Sequence, residues 1–167
     1  MKGKFFEKKL VKILFFLLKF NLLAIPLYIT LYFNLSFPPL QNFLAYLIFQ
    51  TLKIFGYSVS LNGYFLIIQN FPEIIEVSWD STGWKSLYAL TALVLATPLS
   101  NFYKKMKFLI LALPTLFLIN YIRILTTILV SIKFGFKYFE IIHTFLWREG
   151  LIFAIIAIWV LYLLKKK

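Results

Sequence analysis

Residues 108–130 read FLILALPTLFLINYIRILTTILV, twenty-three positions that carry a single charge, Arg123. A helix needs about 20 mostly apolar residues to cross a bilayer, so this stretch is read as a membrane span. The rest of the chain agrees. Of its 167 residues 62% are hydrophobic and 14% charged, against roughly 45–50% and about 25% in soluble domains. Twenty Phe, ten Tyr and four Trp add an aromatic load that so short a chain has too little interior to bury. Lipid is therefore the expected solvent. A soluble enzyme, a disordered tail and a secreted disulfide scaffold are excluded.

Three further spans follow by the same criterion, at 13–33, 86–102 and about 144–164. Residues 40–55 are too short and too polar, with Gln41, Asn42, Gln50, Thr51 and Lys53. They read as an amphipathic helix lying in the membrane interface. In residues 57–68, YSVSLNGYFLII, the Asn62-Gly63 pair between β-prone runs predicts a short hairpin with a type I′ turn. The fold class expected is thus an all-α integral membrane protein, one domain over 1–167, with about four transmembrane helices and this small outer block.

Charge supplies the orientation. Eighteen Lys plus Arg against six Asp plus Glu leave +12. The lysines cluster as Lys2, Lys4, Lys8, Lys9 and Lys12, as Lys104, Lys105 and Lys107, and as Lys165, Lys166 and Lys167. The positive-inside rule puts all three clusters in the cytoplasm. An even number of crossings must then separate them, which four spans satisfy. Residues 34–85 become an extracytoplasmic block and 131–143 a shorter outer loop. The basic, apolar N-terminus lacks a small-residue cleavage site and reads as an uncleaved signal anchor. Clustered lysines between apolar runs answer to topology, so no nucleic-acid partner is expected.

Polar residues in or beside the spans are costly to bury and are the functional suspects. Arg123 lies about eight residues, on the order of 12 Å, from the outer end of its predicted span. Asn120 is three residues earlier on the same helical face. The bland alternative is an arginine that ties helices together through backbone carbonyls. His143 is the one histidine, with Glu140 placed to orient it if the segment is helical. Position alone leaves a wet interfacial histidine equally open. Between Trp79 and Trp84, and just beyond, stand Asp80, Ser81, Thr82, Lys85 and Ser86. Capping of the next helix by Asp80 or Ser81 explains one of these polar groups, not five.

Ser81, Arg123 and His143 all fall on the outer side and can converge in one pocket. A hydroxyl nucleophile, an imidazole base and a guanidinium for the oxyanion make an acyl-transfer set. No Cys exists, so disulfides and thiolate chemistry are out. One His and scattered carboxylates provide no metal site, and no glycine-rich phosphate loop or nucleic-acid motif is present. No cofactor is expected.

The order of these residues resembles the exosortase/archaeosortase family of membrane transpeptidases. That family carries C-[ST]-G-x-x-S at the outer start of a helix, then N-x-x-R in a later helix and a His before the last one. Ser81-Thr82-Gly83-Trp84-Lys85-Ser86 matches the first motif with Ser81 at the Cys position. Asn120-Tyr121-Ile122-Arg123 matches the second, and His143 the third. The approach from Gly56-Tyr57-Ser58-Val59 to Glu76-Val77 is similar too, and the resemblance covers roughly 40–164.

The resemblance implies cleavage of C-terminal tripartite tails of surface proteins at the outer face. Such a tail consists of a short motif, a transmembrane helix and a basic cluster. Transfer to a lipid or other acceptor follows through an acyl-enzyme, with His143 shuttling protons and Arg123 stabilising the oxyanion. Serine in place of cysteine leaves three accounts open. The chain is a Ser enzyme with His143 or, four residues after Ser81, Lys85 as base; or a form silenced by Cys-to-Ser replacement; or a non-catalytic scaffold that binds tails. Lys85 as a mere interfacial anchor is the bland alternative to its role as base. A hydroxyl is hardly ionised at neutral pH and needs an adjacent base.

Overall fold

The computed structural model describes residues 2–135, 137 and 150–164. Among them are five helices: α1 (Lys2–Tyr32), α2 (Pro38–Ile54), α3 (Trp84–Ala96), α4 (Phe102–Phe134) and α5 (Leu151–Leu164). Three short strands, β1 (Val59–Asn62), β2 (Phe65–Ile68) and β3 (Ile75–Glu76), and a 3-10 turn at Asp80–Thr82 lie between α2 and α3. The protein is mostly helical, as its composition demands. The short hairpin expected beside the helices is present, and a third strand extends it to a sheet of order β1-β2-β3.

Two helices are long and apolar enough to cross a membrane, Lys9–Tyr32 within α1 and all of α4. The span expected at 108–130 is extended at both ends, so residues 131–134 are helix rather than outer loop. The span expected at 86–102 is shortened to the thirteen residues of α3. Pro98 is the cause: its ring disfavours helical backbone at Thr97, and it brings no N–H. In the last expected span, about 144–164, the fourteen residues of α5 are helix; residues 144–149 lie outside the described residues.

The chain divides into two compact units, described separately. In the first (Met1–Leu35, Lys85–Leu116, Ile155–Lys167), the end of α3 is closed by side chains. Lys105 is buried, and its Nζ donates to the Leu95 carbonyl at 2.5 Å. Thr97 Oγ donates to the Leu93 carbonyl at 2.6 Å and accepts the indole N–H of Trp159 at 3.0 Å. These contacts answer the carbonyls that any helix C-terminus leaves without partners. Lys105, one of the three lysines expected between the second and third spans, is thus turned inward. Trp159 also stacks on Phe16, and Tyr88 donates its hydroxyl to the Leu23 carbonyl at 2.6 Å.

The second unit (Ser36–Trp84, Phe117–Ala154) is built on α2 and the sheet. Pro38 and Pro39 open α2, where a missing N–H costs nothing. Its buried stripe, Gln41, Leu44, Ala45, Ile48 and Leu52, follows helical spacing. It joins Leu66, Ile68, Ile75, Val77, Ile124 and Ile128 in one apolar core. The helix expected over 40–55 forms, with one departure among its polar residues. Gln41 is buried within the unit, and its amide donates to the Val77 carbonyl at 3.1 Å.

The hairpin forms, one residue out of its expected register. Asn62 pairs with Phe65, so Gly63 and Tyr64 are the turn. Gly63 alone of the two has positive φ, +61°. That pattern is a II′ turn with Gly first, not the I′ turn expected at Asn62-Gly63. β3, too short to have been anticipated, pairs Phe65 with Glu76 and Leu66 with Ile75.

Candidate active site

Ser81 sits in the 3-10 turn that leaves β3 and precedes α3. Gly83 ends the turn in the left-handed region at φ +77°, and Trp84 begins the helix. This geometry corrects the capping expectation. The hydroxyl facing the start of α3 is that of Thr82, which accepts from Trp84 N–H at 3.4 Å. The same hydroxyl donates to the Trp79 carbonyl at 2.7 Å. Ser81 is released from that duty. Its Oγ lies 2.8 Å from Ser78 Oγ, and its N–H also reaches the Ser78 hydroxyl at 3.3 Å. The indoles of Trp79 and Trp84 stack at 5.1 Å and 18°, bracketing the turn. Asp80 is exposed.

Two side chains of α4 converge on this turn. The Asn120 amide donates to the Ser81 carbonyl at 3.0 Å, and Arg123 Nη2 reaches the same oxygen at 3.4 Å. Asn120 is 2% exposed and Arg123 7%. Among the described residues, Asn120 Oδ1 and Arg123 Nε and Nη1 have no hydrogen-bond partner, and neither do the Trp79 and Trp84 indole N–H groups. A buried guanidinium with two unmatched nitrogens is an expensive arrangement. Such nitrogens suit an oxyanion or a carboxylate as partner. The contact to a backbone carbonyl is also the kind that the helix-tying alternative expects, so it does not by itself separate the two.

Gly83 is what allows the approach. A Cβ there would stand 2.8 Å from Asn120 Cγ and Nδ2, inside any tolerable contact, on a backbone that already favours glycine. The Gly of one motif and the Asn of the other therefore meet in space.

Below them, Thr127 Oγ donates to the Arg123 carbonyl at 2.9 Å and Ser131 Oγ to the Thr127 carbonyl at 2.7 Å. Asn120, Arg123, Thr127 and Ser131 make a buried polar stripe along one side of α4. A cavity of about 200 Å³ adjoins Ser81. Ile75, Glu76 and Val77 line it with Ser78 and Ser81 on one side, and Ile124, Thr127 and Ile128 on the other.

Of the residues expected at the site, Ser81, Thr82, Gly83, Asn120 and Arg123 come together. His143 and Glu140 lie outside the described residues. Lys85 is the second residue of α3, half-buried. Because α3 begins only at Trp84, after a left-handed Gly83, the condition for Ser81 and Lys85 to share a helical face is not met. Ser78, Gln41 and Thr127 were missed. Ser78 had a usable signal, a second hydroxyl three residues before Ser81, and Thr127 continued the Asn120–Arg123 face. Gln41 had none, since one buried amide in an amphipathic stretch looks like any surface polar residue. Among the described residues no group of His, Asp and Glu is placed to hold a metal.

A mostly helical chain with membrane-length helices and a polar turn held against a buried Asn–Arg pair has the character of a membrane protein with a buried polar site. The transmembrane exosortase family model (Exosortase_EpsH) matches residues 4–163, nearly the whole chain, and the chain belongs to that family. No curated protein and no solved structure matches it.

Proposed function

We propose that this family member is a sorting transpeptidase that cleaves C-terminal tripartite tails of surface proteins at the outer membrane face. It transfers the cleaved chain to a lipid or other acceptor. Ser81 Oγ attacks the scissile carbonyl while its proton passes to a base, for which His143 is the candidate. The carbonyl π pair becomes the oxyanion, which the Arg123 guanidinium meets. Collapse expels the tail's amine, protonated by the same base, and leaves an ester on Ser81. An acceptor amine or hydroxyl then attacks the ester and restores the serine.

The observation that carries this reading is the buried, part-unpartnered Asn120–Arg123 pair gathered at Ser81. Ser78 is a positioning residue in this scheme, holding the nucleophile's hydroxyl. The topology that goes with it has both termini in the cytoplasm and the site outside. In it α3 and α5 complete two further crossings, so that the three Lys clusters share one side. The thirteen residues of α3 fall short of the bilayer core. Flanking residues and local thinning make up the difference.

A second reading is a scaffold that binds tails without cleaving them. It is favoured by one feature, that Asn120 and Arg123 reach the carbonyl of Ser81 and not its hydroxyl. Purified protein in lipid vesicles, mixed with synthetic tripartite-tail peptides, separates the two. Cleavage by the native chain and none by Ser81→Ala supports the transpeptidase. Equal peptide binding by both, with no cleavage, supports the scaffold.

A further inference from the structure

The cavity beside Ser81 has an unusual position. Ile75, Val77, Ile124 and Ile128 line it, and all four belong to the buried core of the second unit. Ile75 and Val77 alternate with Glu76 and so share one face of an extended chain. Ile124 and Ile128 are one turn apart on α4. Protein interiors are close-packed, with few voids larger than a water molecule. Here about 200 Å³ is left open where the aliphatic core meets the Ser81 hydroxyl. A dry cavity of about 150 Å³ already accepts a benzene-sized guest.

We infer that this cavity is the specificity subsite for one apolar side chain, of leucine to phenylalanine size, next to the scissile bond of the acyl-donor peptide. The inference rests on Ser81 being the nucleophile. The hydroxyls at the cavity are engaged: Thr127 Oγ donates to the Arg123 carbonyl, and Ser78 Oγ pairs with Ser81 Oγ. Apart from the exposed Glu76, the side chains lining the cavity offer a polar group no free partner, so it would lose its hydration there. Glu76, also lining the cavity, disfavours an acidic one. β3 is the last strand of the sheet and pairs on one side only among the described residues. An extended peptide laid along that edge finds main-chain partners while its side chain enters the cavity.

The test uses alkyl fluorophosphonates on the full chain in lipid vesicles. Methyl, isobutyl, benzyl and n-dodecyl probes are compared, each rate divided by that probe's own hydrolysis rate. Ser81 oxygen displaces fluoride at phosphorus, and the hydroxyl proton leaves with it as hydrogen fluoride. Mass spectrometry of the labelled peptide reads the rate at Ser81. Isobutyl and benzyl probes are expected to label at least about tenfold faster than methyl, the scale of one well-housed apolar group. Ile124→Phe should bring the isobutyl-to-methyl ratio towards one, and Ile124→Ala should move the optimum to benzyl. A flat series, or ratios that neither Ile124 variant changes, overturns the subsite while leaving Ser81 as nucleophile. An n-dodecyl optimum assigns the cavity to a lipid chain and overturns it as well. Labelling that never falls on Ser81 with any probe overturns the nucleophile itself, and the subsite with it.

Discussion

Gly83 and Asn120 meet so closely that only a glycine leaves room for the amide. The glycine's missing Cβ would stand 2.8 Å from the asparagine's Cγ, while the same amide donates to the Ser81 carbonyl at 3.0 Å. Two motifs thirty-nine positions apart, counted from Ser81 to Asn120, are thereby locked into one surface. Gly83→Ala should push Asn120 off the turn and strain a left-handed backbone, at a cost of about 1–3 kcal/mol. Thermal unfolding in detergent measures the stability loss, and tail cleavage should fall with it. Asn120→Ala in the Gly83→Ala background should recover part of the stability without recovering cleavage.

Arg123 offers a sharper distinction. A guanidinium that must satisfy a planar oxyanion presents a fork that lysine lacks. Arg123→Lys is expected to lower the cleavage rate at least about a hundredfold, the range seen on removing an oxyanion donor. The protein should accumulate in the membrane as before. If Arg123→Lys cleaves tails at close to the native rate, the arginine is a charge anchor and the oxyanion role is lost.

Ser78 was found through its distance to Ser81, and its contribution is separable. Ser78→Ala should slow cleavage about tenfold, as expected for losing one hydrogen bond of about 1 kcal/mol or slightly more. Ser78→Thr, which keeps the hydroxyl, should restore most of the rate. The loss should appear in kcat with KM little changed, because the serine orients the nucleophile and is not the binding surface. Equal losses in both variants would assign Ser78 to shaping the turn.

Much of the fold could be read from residue order because lipid solvation leaves so few options. The apolar runs at 13–33 and 108–130 emerge within α1 and α4, and residues 40–55 as α2. What escaped was set by contacts that span the chain. β3 has two residues and exists because β2 offers it an edge. Gln41 is buried because Val77 needs a donor. The hairpin slipped by one residue because pairing of Asn62 with Phe65 outweighed the local preference of Asn-Gly. At the site, Ser81, Asn120 and Arg123 were legible as motif residues. Their meeting point, a main-chain carbonyl, was not, since no side-chain pattern announces which backbone oxygen a donor will choose.

Lys105 makes a prediction away from the site. Its ammonium answers the Leu95 carbonyl in the last turn of α3 from a buried position. Lys105→Met keeps the stem and removes the donor, and should destabilise the protein by about 1–3 kcal/mol, the cost of a buried carbonyl left without its charged partner. Lys104→Met, at an exposed neighbour, should cost far less. Thermal unfolding of the two variants side by side reads the difference.

Whether Ser81 does the chemistry is decided by membrane proteomics. Cells carrying the native chain, Ser81→Ala or Ser81→Cys would be compared for intact C-termini on surface proteins that end in a helix and a basic cluster. If Ser81 is the nucleophile, tails are removed by the native chain and retained with Ser81→Ala. Retention by the native chain with removal by Ser81→Cys would contradict that role and mark this chain as a silenced form. Retention in all three would contradict it more broadly and leave the tail-binding scaffold.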